Sequence, residues 1–184
     1  MNPVSLRLLE EASLTLEDHE RISSLLVAAF PQFAAIFQEK SFWGSVPQCR
    51  LLLENSSGEL LAHLEFGLRT IGVGEEEFTV AGIGAVATRP DVQRQHLGRT
   101  LFRHLHTLLL ERFAVDFGYL GCREAVVGFY EKVGFVRFDQ AVLELNPDSG
   151  ELQESTYPNM VLPVRKPTRA WPGTGRVDLR GIPW

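Results

Sequence analysis

The chain has 184 residues, of which 45% are hydrophobic and 22% charged, and its formal net charge is −5. This composition is typical of a folded globular protein and excludes a disordered chain. The negative charge argues against a nucleic-acid partner, because nucleic-acid binding depends on clustered lysine and arginine. We expect a single domain over residues 1–184.

The two cysteines, Cys49 and Cys122, are far apart in the sequence and lie in apolar surroundings. This arrangement matches neither a disulfide framework nor the spacing of a metal site, so we expect two buried free thiols and no bound metal. No stretch approaches the roughly 18 apolar residues of a membrane span, and the N-terminus lacks the basic region of a secretion signal. We therefore expect a cytoplasmic protein without a membrane partner.

The chain begins with a predicted strand over residues 4–10 and a helix over residues 14–30. Thr15 and Asp18 have the spacing of a capping box at the start of this helix, and Pro31 ends it. The segment that follows, up to residue 48, is predicted as a short helix or loop. Its aromatic side chains belong either to the core or to one wall of a pocket; they are Phe33, Phe37, Phe42 and Trp43.

Residues 49–54 and 59–71 are predicted to form a hairpin around the turn NSSG, and residues 78–88 form a third strand. Apolar and polar side chains alternate along the second of these strands. His63 and Glu65 therefore share one face of the strand, and we expect that face to meet something polar.

Downstream, the pattern predicts a helix, a strand, a second helix and a further strand, over residues 97–113, 116–122, 123–133 and 135–145. Residues 146–184 are richer in proline and glycine, and we expect them to form an irregular C-terminal extension. The order of elements predicts a mixed α/β (α+β) domain built around one sheet.

The stretch RPDVQRQHLGRT, residues 89–100, joins a predicted strand to a predicted helix. The unpaired N–H groups and the dipole of a helix N-terminus favour phosphate binding. The stretch lacks the glycine spacing of both the nucleoside triphosphate P-loop and the dinucleotide fingerprint. A different phosphate-bearing ligand is therefore expected.

Gln95-x-x-Gly98-x-Thr100 resembles the acyl-CoA pyrophosphate loop of the GNAT N-acetyltransferases, written Q/R-x-x-G-x-G/A, and departs from it at Thr100. GFYEKVGF, residues 128–135, resembles the second signature of that superfamily. The resemblance implies the GNAT acyl-CoA N-acyltransferase fold, a mixed central sheet flanked by helices.

Nearly the whole chain resembles two branches of this superfamily, the aminoglycoside 2'-N-acetyltransferases and the nodulation N-acyltransferases. The stretch LLAHLEFGLRTIGVGEEEFTVAGIGAVATRPD resembles the hairpin of the nodulation enzymes, and VDLRGIPW is similar to the R-x-G-D-x-W ending of the aminoglycoside enzymes. Ile182 replaces the aspartate of that ending, and Gly84 replaces an acid near the acetyl group. These losses argue against a polycationic antibiotic as the acceptor, because its ammonium groups need carboxylates.

The resemblance also implies roles for individual residues. The Val86 N–H would stabilise the oxyanion, Ala87 and Thr88 would pair with the pantetheine arm, and Tyr130 would be the general acid. The alternative for Tyr130 is a core aromatic. The residues of the pyrophosphate loop would be Arg94, Gln95, His96, Leu97, Gly98, Arg99 and Thr100.

The acceptor side of the site is less defined. His63 and Glu65 are candidates for the general base that receives the proton of the amine, or are hydrogen-bonded structural residues. Trp184 borders the acceptor site, as the resemblance suggests, or plugs the sheet. Trp43 belongs to the acceptor-binding wall or to the core.

Three functions remain open from the sequence. The first is transfer of an acetyl group from acetyl-CoA to a primary amine of a small molecule, such as an amino sugar, by direct attack in a ternary complex. The second uses a longer acyl group from acyl-CoA or acyl carrier protein. The third is a non-catalytic acyl-CoA-binding module, which is suggested by the replacement of the acid near the acetyl group by Gly84. A homodimer is compatible with all three.

Overall fold

The computed structural model describes residues 4–184, which form two compact units. The first unit contains the residues up to Gly67 together with Ile83–Leu105, and the second contains Leu68–Gly82 together with His106–Trp184. Two long strands contribute to both units; they are β3 (Leu60–Val73) and β4 (Glu76–Thr88).

In the first unit, helices cover antiparallel strands. Its elements are β1 (Val4–Glu10), α1 (Leu16–Ala29), α2 (Ala34–Glu39) and β2 (Cys49–Asn55). Strand β2 pairs antiparallel with β1 on one side and with β3 on the other. Helix α1 starts at the predicted capping box, in which Thr15 and Asp18 bond reciprocally. Its buried face, Ile22, Leu25 and Leu26, packs in one cluster with residues of α2, β2, β3 and β4.

Helix α3 (Leu97–Leu108) connects β4 to β5 (Phe117–Gly121). These two strands pair in parallel, with Val80, Ala81 and Gly82 opposite Phe117, Gly118 and Tyr119. Parallel neighbours need a crossover connection, which α3 provides. The sequence between β4 and α3 holds the loop predicted to bind phosphate.

The second unit contains one more helix and most of the remaining strands. They are α4 (Val127–Lys132), β6 (Val136–Phe138), β7 (Val142–Leu145), β8 (Leu152–Glu154), β9 (Asn159–Pro163) and β10 (Val177–Asp178). The strand order is β6-β9-β5-β4-β3-β10-β7-β8. Trp171 lies at the centre of the core, in contact with the rings of Phe78, Phe117 and Tyr119.

Residues 146–184 are more regular than their composition predicts. Strand β9 inserts between β5 and β6 and pairs antiparallel with both. Strand β10 lies between β3 and β7. The expectation of an irregular extension is wrong for these strands, because their partners are distant in sequence and local patterning does not reveal such pairing.

Other expectations are confirmed. The structure has the predicted order of helices and strands through β6 and the predicted mixed α/β class. Cys49 and Cys122 are free and buried. Within residues 4–184, no helix has the length and apolar character that crossing a membrane requires.

Candidate active site

The loop between β4 and α3 has an unusual backbone. Arg94 and His96 both adopt the left-handed conformation, each with φ of 64°, which non-glycine residues rarely adopt. Alternation of right- and left-handed residues turns successive N–H groups toward one concavity, the arrangement called an anion-binding nest. The loop therefore combines two left-handed residues, which such nests also contain, with the start of a twelve-residue helix.

The first turn of α3 contains the rest of the predicted loop. Leu97 is buried and anchors the turn, whereas Gly98 and Arg99 precede the first helical hydrogen bond. That bond runs from the Thr100 N–H to the His96 carbonyl, at 3.0 Å. The Thr100 amide is therefore already used, which removes it from the N–H groups expected to meet an anion.

Positive charge accompanies these amides. Arg94, Gln95, His96 and Arg99 are all exposed. In the part of the chain that the structure describes, the side chains of Arg94 and Arg99 form no hydrogen bond or ion pair. Arg89 differs, because its guanidinium binds Asp91 at 2.7 and 3.0 Å.

Strand β4 is irregular just before this loop. Ala85 has a φ of 43°, a left-handed conformation inside a strand. The Nδ1–H of His63 on β3 donates to the Ala85 carbonyl at 2.9 Å and so holds this distortion in place. The distortion re-aims the backbone of the next residues, as β-bulges near active sites do. Those residues are Val86, Ala87 and Thr88, the predicted oxyanion and pantetheine partners.

His63 is fully buried, and its imidazole is held neutral. Burial, assisted by the charge of Arg50, lowers the pKa of His63 to about 3. With Nδ1 donating to Ala85, Nε2 is the acceptor, and it is buried without a partner among the described residues. A neutral imidazole with this pKa is a weak proton acceptor, which favours a positioning role over that of general base.

Arg50 on β2 organises the polar interior of the first unit. Its guanidinium is fully buried and binds both oxygens of Glu11, at 2.6 and 2.9 Å. It also donates to the Ser41 carbonyl at 2.6 Å and to Glu65 at 2.5 Å. Arg50 and Glu65 are directly opposite each other on β2 and β3. The predicted polar face of β3 is therefore present, but it is buried.

Glu65 keeps its proton through the neutral range. Burial raises the pKa of Glu65 to about 8, and Arg50 opposes this shift. Glu11 already matches the charge of Arg50 with both oxygens, so a second buried carboxylate would lack a counter-charge. The other Glu65 oxygen accepts the Trp43 N–H at 3.3 Å. A buried carboxyl with these partners is a structural group near pH 7 and only becomes ionised above it.

Trp43 lies at the edge of the core of the first unit. Its ring is 4.8 Å from that of Phe33 and 6.1 Å from that of Phe37, and it packs, as Ala85 does, against the cluster that contains Ala87. Trp43 remains partly exposed. The structure thus brings Trp43, Glu65, His63 and the predicted β4 residues together in the first unit.

Tyr130 belongs to the second unit and lies on α4. It is 8% exposed, and its ring contacts those of Phe129 and Phe135. Burial raises the pKa of Tyr130, and the nearby Cys122 thiol raises it further. The phenol therefore keeps its proton at neutral pH, as a hydrogen-bond donor must.

Trp184 also belongs to the second unit, where it lies against the sheet. Its indole covers Gly82 so closely that a Cβ at that position would overlap the ring. The Arg69 guanidinium carbon is 4.1 Å from the centroid of the Trp184 ring, within cation–π distance. Arg69 also donates to the Leu179 and Ile182 carbonyls, at 3.1 and 3.0 Å. The C-terminal residues are therefore held on β3 and β4.

A pocket of about 430 Å³ opens in the first unit between α1, the start of β3 and Arg89. Its lining is Glu20, Arg21, Ser24, Leu25, Ala28, Leu60 and Arg89. None of the predicted site residues lines it, so we assign no reactant to this pocket.

Comparison with known proteins decides the family. The family model described as Nodulation protein A (NodA) matches residues 2–182. The chain belongs to the Nodulation protein A family. A Nodulation protein A of Mesorhizobium sp. (strain 7653R) is 27% identical, with 97% of this chain and 96% of that protein covered. One of Rhizobium meliloti (strain 1021) is 24% identical with the same coverage.

Solved structures show the fold. A GNAT family N-acetyltransferase of Escherichia coli in complex with CoA superposes with a TM-score of 0.63 at 18% identity, covering 97% of this chain and 91% of that one. The Nodulation protein A family member described here therefore has the GNAT acyl-CoA N-acyltransferase fold, as the two sequence signatures predicted. It is an N-acyltransferase.

Two arginines of this Nodulation protein A family member were not predicted from sequence to matter for the site. Arg50 interrupts the apolar run CRLLLE, and a lone cation in such a run is the signal that a buried carboxylate faces it. Arg69 holds the tail that carries Trp184, and no local pattern marks a contact across so many intervening residues.

The raised pKa of Glu65 predicts how stability varies with pH. Between about pH 5 and 8 the folded state holds a proton that the unfolded state, with the ordinary value of 4.5, has lost. Glu65 should therefore lower the free energy of unfolding as the pH rises through this window, by at most about 1.4 kcal/mol per pH unit. The buried neutral His63 has the opposite effect below its ordinary pKa of 6.5, so the net fall is expected between about pH 6.5 and 8. Glu65→Gln should remove the Glu65 contribution, as measured by urea denaturation at several pH values.

The matched control for that measurement is Glu124→Gln. Glu124 pairs with Arg137 at the surface, and its side chain is 71% exposed. This variant should leave the pH dependence unchanged between pH 5 and 8. Parallel stability curves for wild type and Glu65→Gln would contradict a protonated Glu65.

Proposed function

We propose that this protein transfers an acyl group from an acyl-CoA thioester to a primary amine of a small molecule, by direct attack of the amine in a ternary complex. The observation that carries the proposal is the loop at residues 93–100, with its two left-handed residues, its exposed arginines and its position at the start of α3. Anion-binding nests at helix N-termini suit a pyrophosphate.

The pyrophosphate of the donor would meet the amides and side chains of this loop. Residues Arg94 to Arg99 provide the N–H groups, and Thr100 contributes its hydroxyl, since its amide is bonded to His96. Arg94 and Arg99 add local positive charge to an acidic protein. Ala87 and Thr88 are the partners we assign to the pantetheine arm.

Next to them, the Val86 N–H would stabilise the oxyanion that forms when the amine attacks the thioester carbonyl. Its orientation depends on the left-handed Ala85 and on the His63 hydrogen bond that holds it. We therefore assign His63 a positioning role. We also assign Glu65 a positioning role. It accepts a hydrogen bond from Arg50 on β2 and so fixes β3, the strand that carries His63.

Tyr130 would act on the leaving thiolate. Its raised pKa keeps the phenol protonated, but it also makes complete proton transfer to a thiolate unfavourable, since thiols ordinarily titrate near pH 8.5. We therefore propose that the Tyr130 hydroxyl donates a hydrogen bond that stabilises the developing negative charge on sulfur.

The acyl group and the acceptor are the open parts of this proposal. The first form of the reaction uses acetyl-CoA and an amine such as an amino sugar. Membership of the Nodulation protein A family favours a second form, in which a longer acyl group arrives on CoA or on acyl carrier protein. Trp184 and Trp43 are the aromatic side chains that we assign to the acceptor.

The direct test is a screen of primary amines with acetyl-CoA, a medium-chain acyl-CoA and an acyl carrier protein thioester, following release of free thiol. We expect release that depends on an amine and on one of these donors. CoA binding without thiol release for every amine and donor would support the non-catalytic binding module instead.

The loop assignment predicts that Arg99→Ala weakens CoA binding about tenfold, because one phosphate contact is lost. Isothermal titration of CoA measures this change. Arg169→Ala is the control with the same change in charge, since Arg169 is exposed and lies outside the loop. Acetyl-pantetheine lacks the pyrophosphate, so its affinity should be the same for both variants and wild type; equal losses for both donors would contradict the assignment.

The Tyr130 assignment predicts that Tyr130→Phe lowers kcat about 10- to 100-fold and leaves the affinity for CoA unchanged, because the lost hydrogen bond forms only with the developing thiolate. Steady-state kinetics and CoA titration measure the two effects separately. An unchanged kcat combined with a lower Tm would identify Tyr130 as a core aromatic only.

A further inference from the structure

Asn159, the first residue of β9, is a buried amide without partners. It is 2% exposed, and neither its Oδ1 nor its Nδ2 is hydrogen-bonded to any residue that the structure describes. Buried polar groups are nearly always hydrogen-bonded, and an unpaired one destabilises the folded state. A side chain whose donor and acceptor are both unused is therefore suited to a ligand that offers one hydrogen-bond acceptor and one hydrogen-bond donor.

Gly121, which has no side chain, lies beside this amide. Asn159 pairs directly with Gly121 across the antiparallel strands β9 and β5, so both positions face the same side of the sheet. Gly121 is exposed and has no side chain, and a Cβ placed there would find the Cβ of Tyr157 as its nearest neighbour, at 3.5 Å. The Tyr157 side chain is itself 55% exposed. The space over Gly121 is thus bordered by a polar buried group and an exposed aromatic.

Gly121 ends β5, from which the chain leads into α4 and the group proposed to stabilise the leaving thiolate. Gly121 is followed directly by Cys122, whose thiol lies close enough to Tyr130 to affect the pKa of the phenol. Directly paired residues in an antiparallel sheet have Cα atoms about 4.5–5.5 Å apart. Gly121 and Cys122 are consecutive, so their side chains point to opposite faces of the sheet, and Asn159 shares the face of Gly121. Asn159 is therefore at the same end of β5 as the chain that leads into α4 and Tyr130, all within the second unit.

We propose that Asn159 is a binding residue that holds an amide or hydroxyl group of one of the reactants over Gly121. Its Nδ2 donates to a carbonyl or hydroxyl oxygen of the reactant, and its Oδ1 accepts from an N–H or O–H. The inference rests on the proposed acyl transfer. Two reactants carry groups that can form these hydrogen bonds. One is the donor, whose pantetheine arm has two amides, and the other is the amine acceptor. The experiment distinguishes the two.

The test is Asn159→Val, which removes both polar atoms and suits a β strand. A structural asparagine stabilises its protein, so its loss lowers Tm. Loss of an unsatisfied one leaves Tm unchanged or raises it, because no hydrogen bond is broken and a desolvated amide is removed. We expect this second result, together with affinity for one reactant that is about tenfold weaker. Asn159→Ala tests the same point without added volume.

Asn146→Val is the matched control in the same unit. The Asn146 amide donates to Gln153 at 2.8 Å and accepts from the N–H groups of Asp148 and Ser149, so both of its polar atoms have partners. Its substitution should lower Tm and leave the affinity for both reactants unchanged. Opposite effects of the two asparagines on Tm and affinity are the signature of the proposed role.

The source of the ligand group follows from two measurements on each Asn159 variant, the Kd of CoA by titration and the KM of glucosamine in the thiol-release assay. A weaker Kd for CoA identifies the pantetheine arm, whereas a raised KM with unchanged CoA affinity identifies the acceptor. If the Kd of CoA and the KM of glucosamine equal the wild-type values in both Asn159→Val and Asn159→Ala, the inference is overturned. Failure of wild type itself to bind CoA would instead contradict the proposed function.

Discussion

The buried Arg50 guanidinium is the interaction on which the rest of the first unit depends. It joins Glu11 after β1, the Ser41 carbonyl and Glu65 on β3, none of which are close in sequence. Removing one partner of a buried ion pair lowers the free energy of unfolding by about 3–5 kcal/mol, because the remaining charge is neither paired nor hydrated. Strand β3, fixed in this way, carries His63 to the Ala85 carbonyl. The left-handed Ala85 in β4 is therefore held in place through β3 by the hydrogen bonds of Arg50, which lies two strands away on β2.

In the first unit of this acidic protein the buried Arg50 is paired, whereas the exposed loop before α3 carries positive charge that is unpaired among the described residues. The interior of the first unit neutralises itself, since Arg50 is matched by Glu11, while burial keeps Glu65 protonated. The exposed loop before α3 carries two arginines that form no ion pair in the described chain. An anion approaching the protein is attracted locally even though the net charge of −5 repels it at a distance.

The fold and the position of the predicted phosphate loop were accessible from sequence because their signals are local. The capping box at Thr15, the hairpin around NSSG and the loop at residues 93–100 each lie within a few consecutive residues. The contacts between distant segments were less accessible. The burial of His63 and Glu65, the placement of β9 and the unused amide of Asn159 all depend on contacts between distant segments. Alternation along β3 identified its polar face but not what covers it.

The position of β9 has a consequence for how the chain is made. Strands β5 and β6 are both synthesised before β9, which later fills the place between them. A nascent chain that ends before Asn159 exposes the facing edges of two strands, and open edges template association with other chains. The second unit is therefore most vulnerable to aggregation while its last residues are still in the ribosome.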